Sequence, residues 1–348
     1  MEEFLNDICT ESLVKLADYG LNEEILRRRE NKALLIGRII TQNRNYYKVI
    51  TEKGEIIGRV SGKMKYNLEN KEDFPSVGDW VEVEYIEKEN SIIHKVVERK
   101  TLLYRKVAGV RCEEQVIAAN VDKIFITMSL NNNFNIRRIE RYINIAWDSG
   151  ATPIILLTKA DISQDLEEKL DMVMSVALGI DVIVVSAFTG IGFDRVKDVI
   201  KHGDTVVFVG SSGVGKSTII NKLIGEDIQE TKDVDGMDKG RHTTTSRELF
   251  LIEGGGVVID TPGMRELQII SGDIENTFSD IEELSCYCRF HDCMHVSEPG
   301  CAVKKAIDEG TLDEDRLKNY MRLKREIKNQ EIRRSQKERQ NQRKHNKK

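Results

Sequence analysis

No run of apolar residues in this 348-residue chain reaches about 18, the length a membrane-crossing helix needs. No membrane partner is expected. The opening residues, MEEFLNDICTE, are acidic where a secretory leader would be basic, so no leader is expected and the chain reads as cytoplasmic. Cysteines number only six, and four of them fall between Cys286 and Cys301. In a reducing compartment that clustering speaks for a metal and against a disulfide framework. The outlying Cys9 and Cys112 read as ordinary buried thiols. What the chain does have is 40% hydrophobic and 32% charged residues, enough to bury a core and stay in solution. Its length suits two or three domains.

The net charge of -5 hides an asymmetry. From Arg316 to Lys348 there are 14 Lys and Arg against three acids, a net of +11, which leaves -16 on the other 315 residues. A basic end of that density is either a solvated, partly helical terminus or a nucleic-acid grip.

Residues 1–32 read as a polar helical extension. The texture then changes. ALLIGRII, YYKVIT, EIIGRVSG, DWVEVEYIE and SIIHKVVE are short runs rich in Val, Ile and Tyr, separated by turn-forming segments. Five such strands over 33–100 predict a small closed β-barrel of the OB type, whose commonest ligand is an oligonucleotide. A barrel that only packs against its neighbour is the plainer alternative. From 101 to 271 the pattern alternates. VDKIFITMSL, TPIILLTKAD, DVIVVSA and TVVFVG are apolar strands, and helical stretches lie between and after them. That is a doubly wound α/β domain, whose ligands bind at the carboxyl ends of the strands. Over 272–348 a Cys/His-rich stretch precedes a long charged helical pattern, DEDRLKNYMRLKREIKNQEIRRSQKERQ. The last residues, NQRKHNKK, read as disordered.

The polar segments fall at the predicted strand ends. GSSGVGKS, covering Gly210, Ser211, Ser212, Gly213, Val214, Gly215, Lys216 and Ser217, matches G-x-x-x-x-G-K-S/T between a strand and a helix that continues with Thr218. Its glycines let backbone N–H groups curl around phosphate oxygens, and the helix N-terminus adds positive charge. Lys216 is assigned to the β- and γ-phosphates and Ser217 to Mg²⁺. GGGVVIDTPGM delivers Asp260 toward Mg²⁺ and Gly263 toward the γ-phosphate. GRHTTTSRE supplies a threonine that senses both, with Thr244 first and Thr243 and Thr245 close behind. In TKAD, Asp161 can accept two hydrogen bonds from the N1–H and amine of guanine, which adenine does not offer. The Lys159 stem can lie on the base, and Ser186 and Ala187 of VVSA can present a backbone N–H to the guanine oxygen.

The order along the chain is base-reading segment, SA, phosphate loop, threonines, DTPG. That is a circular permutation of the usual GTPase order, which nearby domain termini permit. DTPG becomes the last part of the domain, so whatever follows Met264 is attached to a segment that moves on hydrolysis. With GRHTTT and the Cys/His motif, this order resembles the bacterial small-ribosomal-subunit biogenesis GTPases of the circularly permuted RsgA family, over roughly residues 34–341. The resemblance implies GTP hydrolysis to GDP stimulated by the small subunit and a role in its late maturation; the barrel and the basic helix are expected to grip its rRNA. One departure from the common N-K-x-D pattern is Thr158 in place of Asn.

Ras-like enzymes orient the attacking water with a Gln after DTxG; here that residue is Met264. His242, just before the threonines, is the candidate replacement, and the resemblance points to it too. A purely structural role for His242 remains the alternative. CRFHDCMHVSEPGC gives C-x4-C-x-H-x5-C, so Cys288, Cys293, His295 and Cys301 form a Cys₃His set for one structural Zn²⁺, with Cys286 and His291 as substitutes. The expectation is a monomeric GTP hydrolase using GTP/GDP, Mg²⁺ and one zinc. The rivals are a zinc-stabilised RNA-binding factor that holds nucleotide only structurally, and a P-loop ATPase or small-molecule kinase, against which Asp161 speaks.

Overall fold

The computed structural model describes residues 16–68, 71–86, 90–106, 114–225, 247–260, 277–290 and 293–345. Contacts divide the chain into two compact units, one of residues 1–135 and 149–267, the other of 136–148 and 268–348.

In the first unit a short helix α1 (Glu23–Arg27), capped by the Asn22 side chain, precedes the barrel. The barrel strands are β1 (Leu35–Gln42), β2 (Tyr47–Thr51), β3 (Gly54–Val60), β4 (Trp80–Tyr85) and β5 (Asn90–Val96), with helix α2 (Gly62–Asn67) after β3. Alternating residues of these strands face inward: Ile39, Val49, Ile56, Val81, Val83 and Ile93 are all nearly inaccessible. β1 pairs with β2, β2 with β3, β3 in parallel with β5, β5 with β4, and β4 with β1, so the sheet closes on itself. This is the five-stranded OB-like barrel that the strand spacing predicts. Leu16 and Leu21 pack with Ile36, Trp80 and Val97, so part of the N-terminal extension belongs to the barrel's apolar cover.

A hairpin of β6 (Leu102–Lys106) and β7 (Glu114–Ala119) follows, which strand periodicity did not single out. The α/β layer then contains β8 (Lys123–Ser129), β9 (Thr152–Thr158), helix α4 (Leu166–Met174), β10 (Asp181–Val184), helix α5 (Phe193–Val199), β11 (Thr205–Val209), helix α6 (Lys216–Ile224), β12 (Glu248–Leu251) and β13 (Val257–Asp260). Helix α3 (Ile136–Asp148) connects β8 to β9 and groups with the second unit. The strand order is β10-β9-β8-β11-β13-β12, parallel throughout except for β12. β11, which runs into the phosphate loop, is fourth of these strands in the chain yet lies in the interior of the layer. Its core is continuous: Phe125, Ile154, Leu156, Ile183, Val206, Phe208, Ile219 and Val258 pack together, and the Phe125 and Phe208 rings stack at 4.8 Å.

The barrel and this layer share one sheet. The edge of β1 not taken by β2 pairs with β4 over Leu35–Arg38 and then with β12 at Thr41. Arg38, buried, donates from Nη2 to Thr205 Oγ1 at 2.7 Å and from Nε to Gly78 O at 3.2 Å, and lies over the Trp80 ring. Burial pulls its guanidinium down to about 10, against Asp122 and Asp79, which favour the charge. It is still a cation at neutral pH.

The second unit holds α3, α7 (Ser279–Ser285), α8 (Ala302–Asp308) and α9 (Glu314–His345). Phe278, Ile281, Val303, Tyr320 and Leu323 form its apolar centre. Arg316 is buried among them. It donates to Glu140 Oε1 at 2.6 Å and to both Asp280 oxygens at 2.7 and 2.8 Å. Burial raises the Glu140 carboxyl above its usual range, opposed by the Arg316 charge. Residues 341–345, expected to be disordered, continue α9 to His345. No Gly or Pro follows Glu314 to stop it, and Gln, Arg and Lys are good helix formers.

Candidate functional site

Four strand ends converge on one edge of the α/β layer. Ser129 of β8 is level with Thr158 of β9, Leu157 with Val184 of β10, and Ile126 with Val209 of β11. The motifs that follow β9, β10 and β11 therefore emerge side by side.

Two glycines shape the phosphate loop. Gly210 has φ +147, and a Cβ there would stand 2.3 Å from Thr127 O of β8. The neighbouring strand excludes any side chain at that position. Gly215, at φ +99, caps α6 in the left-handed region, and a Cβ there would meet nothing within 4 Å. Only glycine takes this conformation at no steric cost, and the small residue leaves the concave side of the loop open to a phosphate. Lys216 opens α6 and folds back over the loop, donating to Gly210 O at 2.8 Å and Ser211 O at 2.6 Å. An ammonium already straddling the loop carbonyls suits the β/γ-phosphate position. Ser217 and Thr218 lie in the first turn of α6, where backbone N–H groups have no helical partner.

The segment assigned to the base is held by two hydrogen bonds that spacing alone could not reveal. Thr158 Oγ1 donates to Val214 O at 2.6 Å, inside the phosphate loop. The residue that replaces the usual Asn thus bonds the base segment to the phosphate segment. Ser186 Oγ donates to Asp161 Oδ1 at 2.5 Å and accepts from Thr189 N at 3.1 Å. The Ser186 hydroxyl, buried, fixes one oxygen of the carboxylate. Its own N–H donates to Ile191 O at 3.0 Å, so that N–H is engaged within the loop. Ala187 O accepts a bond from Lys222 of α6. Lys159 sits at φ +61, ψ +40, left-handed backbone that few non-glycine residues adopt. Such strain collects where a side chain must be aimed.

Asp260 ends β13, next to β11 in the sheet. His242, Thr243, Thr244, Thr245, Gly263 and Met264 lie outside the described residues, as do Cys9, Cys112 and His291.

In the second unit Cys288, Cys293, His295 and Cys301 come together, with all ligand atoms within 4.8 Å of one another. His295 Nδ1 is 3.4 Å from Cys301 Sγ and 3.7 Å from Cys288 Sγ, and the Cys288 and Cys301 sulfurs are 3.9 Å apart. A tetrahedral zinc with bonds of about 2.3 Å to sulfur and 2.0 Å to nitrogen needs edges of about 3.5 to 3.8 Å, so the donor set fits. Cys286 is exposed and bonds Glu282 O, apart from the four. Cys301 caps α8, and the Lys304 N–H points at its sulfur. Burial pushes the Cys288 thiol up, but the Ala302 and Val303 N–H groups and the neighbouring thiols outweigh it and leave the thiol below its ordinary range. Burial and the facing thiols push Cys293 up to about 11. Burial and Lys324 lower His295, which keeps its ring neutral, the form that ligates.

Among the described residues, no helix is long and apolar enough to cross a membrane. A family model described as RsgA GTPase matches residues 96–270. Small ribosomal subunit biogenesis GTPase RsgA 2 of Lactiplantibacillus plantarum is 48% identical over 317 residues, covering 90% of each chain. The protein of the same name from Listeria monocytogenes serotype 4b is 44% identical over 315 residues, 90% of this chain and 89% of that one. Among solved structures, YjeQ from Thermotoga maritima superposes with a TM-score of 0.64 at 27% identity, covering 84% of this chain and 98% of the other. YloQ, described as a circularly permuted GTPase, gives 0.60 at 27% identity, covering 86% and 98%. The joined base and phosphate segments, the permuted strand order and these likenesses lead to one conclusion: the chain belongs to the RsgA GTPase family and is a GTP hydrolase.

Proposed function

We propose that the chain binds the small ribosomal subunit, hydrolyses GTP to GDP when stimulated by it, and assists its late maturation in the cytoplasm as a monomer. The observation that carries the nucleotide half of this reading is the Ser186–Asp161 bond beside the Thr158–Val214 bond: a fixed guanine-reading carboxylate tied to a phosphate loop. The ribosomal half is supported by the names of the relatives.

In this reading Asp161 accepts the two guanine N–H groups, Lys159 lies on the base and the Ala187 N–H meets the guanine oxygen. Gly210 to Thr218 wrap the phosphates, and Lys216 moves from the loop carbonyls to the β- and γ-oxygens. Mg²⁺ would be held by Ser217, Thr244 and Asp260, and when bound it neutralises charge on the β/γ-bridge. Gly263 brings its N–H to the γ-phosphate. Met264 cannot orient water, so His242 does, as a neutral imidazole. Slow turnover alone, accelerated on the ribosome, is the expected consequence. A zinc ion held by Cys288, Cys293, His295 and Cys301 would fix the fold of its segment, with no open position for chemistry. The barrel and the basic end of α9 would contact rRNA, and the affinity should fall steeply with salt.

GTP turnover with purified small subunits, large subunits and neither tests the whole reading. Stimulation by the small subunit alone is expected. Equal rates in all three refute it and favour an RNA-binding factor that carries nucleotide structurally. For His242, a His242→Ala variant that matches the wild-type rate with small subunits present excludes the assigned role.

A further inference from the structure

Two peptide planes flank Ala187, and each is tied through its carbonyl oxygen. Ser186 O accepts from Gly190 N at 2.9 Å, a bond within the loop itself. Ala187 O accepts from Lys222 Nζ, a bond that comes from helix α6. In a planar trans peptide the N–H lies opposite the carbonyl, so holding these two oxygens sets the directions of the Ala187 and Phe188 N–H groups. The loop closes further through Thr189 N, which donates to the Ser186 hydroxyl that itself holds Asp161. Lys222 is steadied as well, with its ammonium over the Phe193 ring of α5, 5.8 Å from the centroid. It belongs to none of the motifs read from the sequence, yet it stands six residues beyond Lys216 on the same helix. That is about 9 Å along the axis. The helix that opens at the phosphate loop therefore also reaches the loop after β10.

We propose, on the reading in which the Ala187 N–H meets the guanine oxygen, that Lys222 is a positioning residue for the base. By gripping the Ala187 carbonyl from α6, it holds the loop's N–H groups where that oxygen must sit. A hydrogen bond weakens steeply as its angle departs from linear, so a donor fixed before the ligand arrives binds better than one that must be ordered. The grip is a charge-assisted bond from an ammonium to a main-chain carbonyl. Asp161 and Lys222 thus serve different groups of one ring. Asp161 takes the N1–H and the amine, and Lys222 acts, through the loop, on the oxygen. The contribution of Lys222 is confined to nucleotides whose base carries that oxygen.

Three diphosphates separate these contributions. GDP has the oxygen and the amine. Inosine diphosphate keeps the oxygen and lacks the amine. The diphosphate of 2-aminopurine riboside keeps the amine and lacks the oxygen and the N1 hydrogen. The test measures the affinity of each for the full chain with Mg²⁺ present, in the wild type, Lys222→Met and Lys222→Arg, beside thermal unfolding. Lys222→Met keeps the aliphatic stem on Phe193 and removes the donor. It should weaken GDP and inosine diphosphate about fivefold each and leave the 2-aminopurine nucleotide within about twofold. Lys222→Arg can still donate to the Ala187 carbonyl and should bind all three as the wild type does. Wild-type GDP affinity in Lys222→Met overturns the proposal. So does an equal loss for all three nucleotides, which marks a lysine that only supports the fold. If the wild type itself prefers GDP and Lys222→Met keeps that affinity, the positioning role alone fails. If the wild type binds all three nucleotides equally, the loop does not read the base, and the guanine reading fails together with this one.

Discussion

Thr158→Val deletes one hydroxyl from the seam between the segments assigned to the base and to the phosphates. Thr158 is 3% exposed, Val214 is fully buried, and their bond is 2.6 Å long. Valine has nearly the shape of threonine but cannot donate, so the Val214 carbonyl loses this partner away from water. A buried acceptor left unmade costs about 1–3 kcal/mol. If about 1.4 kcal/mol of that is lost from the order of the loop, nucleotide affinity falls about tenfold. The assay is titration calorimetry with GDP and with a non-hydrolysable GTP analogue, beside thermal unfolding. Both affinities should fall together, since the bond lies at the junction and not at the γ-phosphate. Thr158→Ser, which keeps the hydroxyl, should bind as wild type does. If Thr158→Val melts lower and still binds GDP with wild-type affinity, the bond is a packing feature of the end of β9 and the idea that it joins the two halves is refuted.

Asp161→Asn should lower GDP affinity by about a hundredfold or more and shift preference toward xanthine nucleotides, which present a carbonyl where guanine has its amine; unchanged GDP binding in calorimetry would remove Asp161 from the base site. Metal analysis of the purified chain should return one zinc, and Cys301→Ser should lose it together with hydrogen-exchange protection over residues 288–308. Protection that survives metal removal would mean that the segment folds on its apolar contacts. Arg316→Met leaves Glu140 and Asp280 without their buried partner and should destabilise the second unit by about 3–5 kcal/mol in denaturant unfolding. A change below about 1 kcal/mol would show that methionine packing compensates for the lost pair.

Different parts of this molecule were legible to different degrees, for physical reasons. Barrel strands such as YYKVIT and SIIHKVVE are short alternating runs, and the α/β strands are unbroken apolar ones, because one kind is covered on one face and the other on both. These periodicities survive in one dimension. The four-residue β12 carries only ELFL, too short to show a period, and β6 and β7 are a separate hairpin whose alternation was not singled out. Arg38 reads as a charge in a strand, and nothing in its neighbourhood along the chain announces that its guanidinium would be buried against Trp80 and Thr205. Cysteine spacing suggested the zinc ligands, while the exclusion of Cys286 needed coordinates.

The sequence by itself determined the chemistry on offer: which residues can cradle phosphate, read guanine or ligate a metal, and in which permuted order they occur. These are matters of residue type and local spacing, set by covalent structure. Tertiary structure alone decided the partnerships between distant residues. Thr158 meets Val214 in the loop assigned to phosphate, Ser186 steadies Asp161, and Glu248 of β12 pairs with Thr41 of the barrel strand β1. Hydrogen bonds across tens or hundreds of residues leave no periodic trace, because their geometry exists only once the strands are laid side by side.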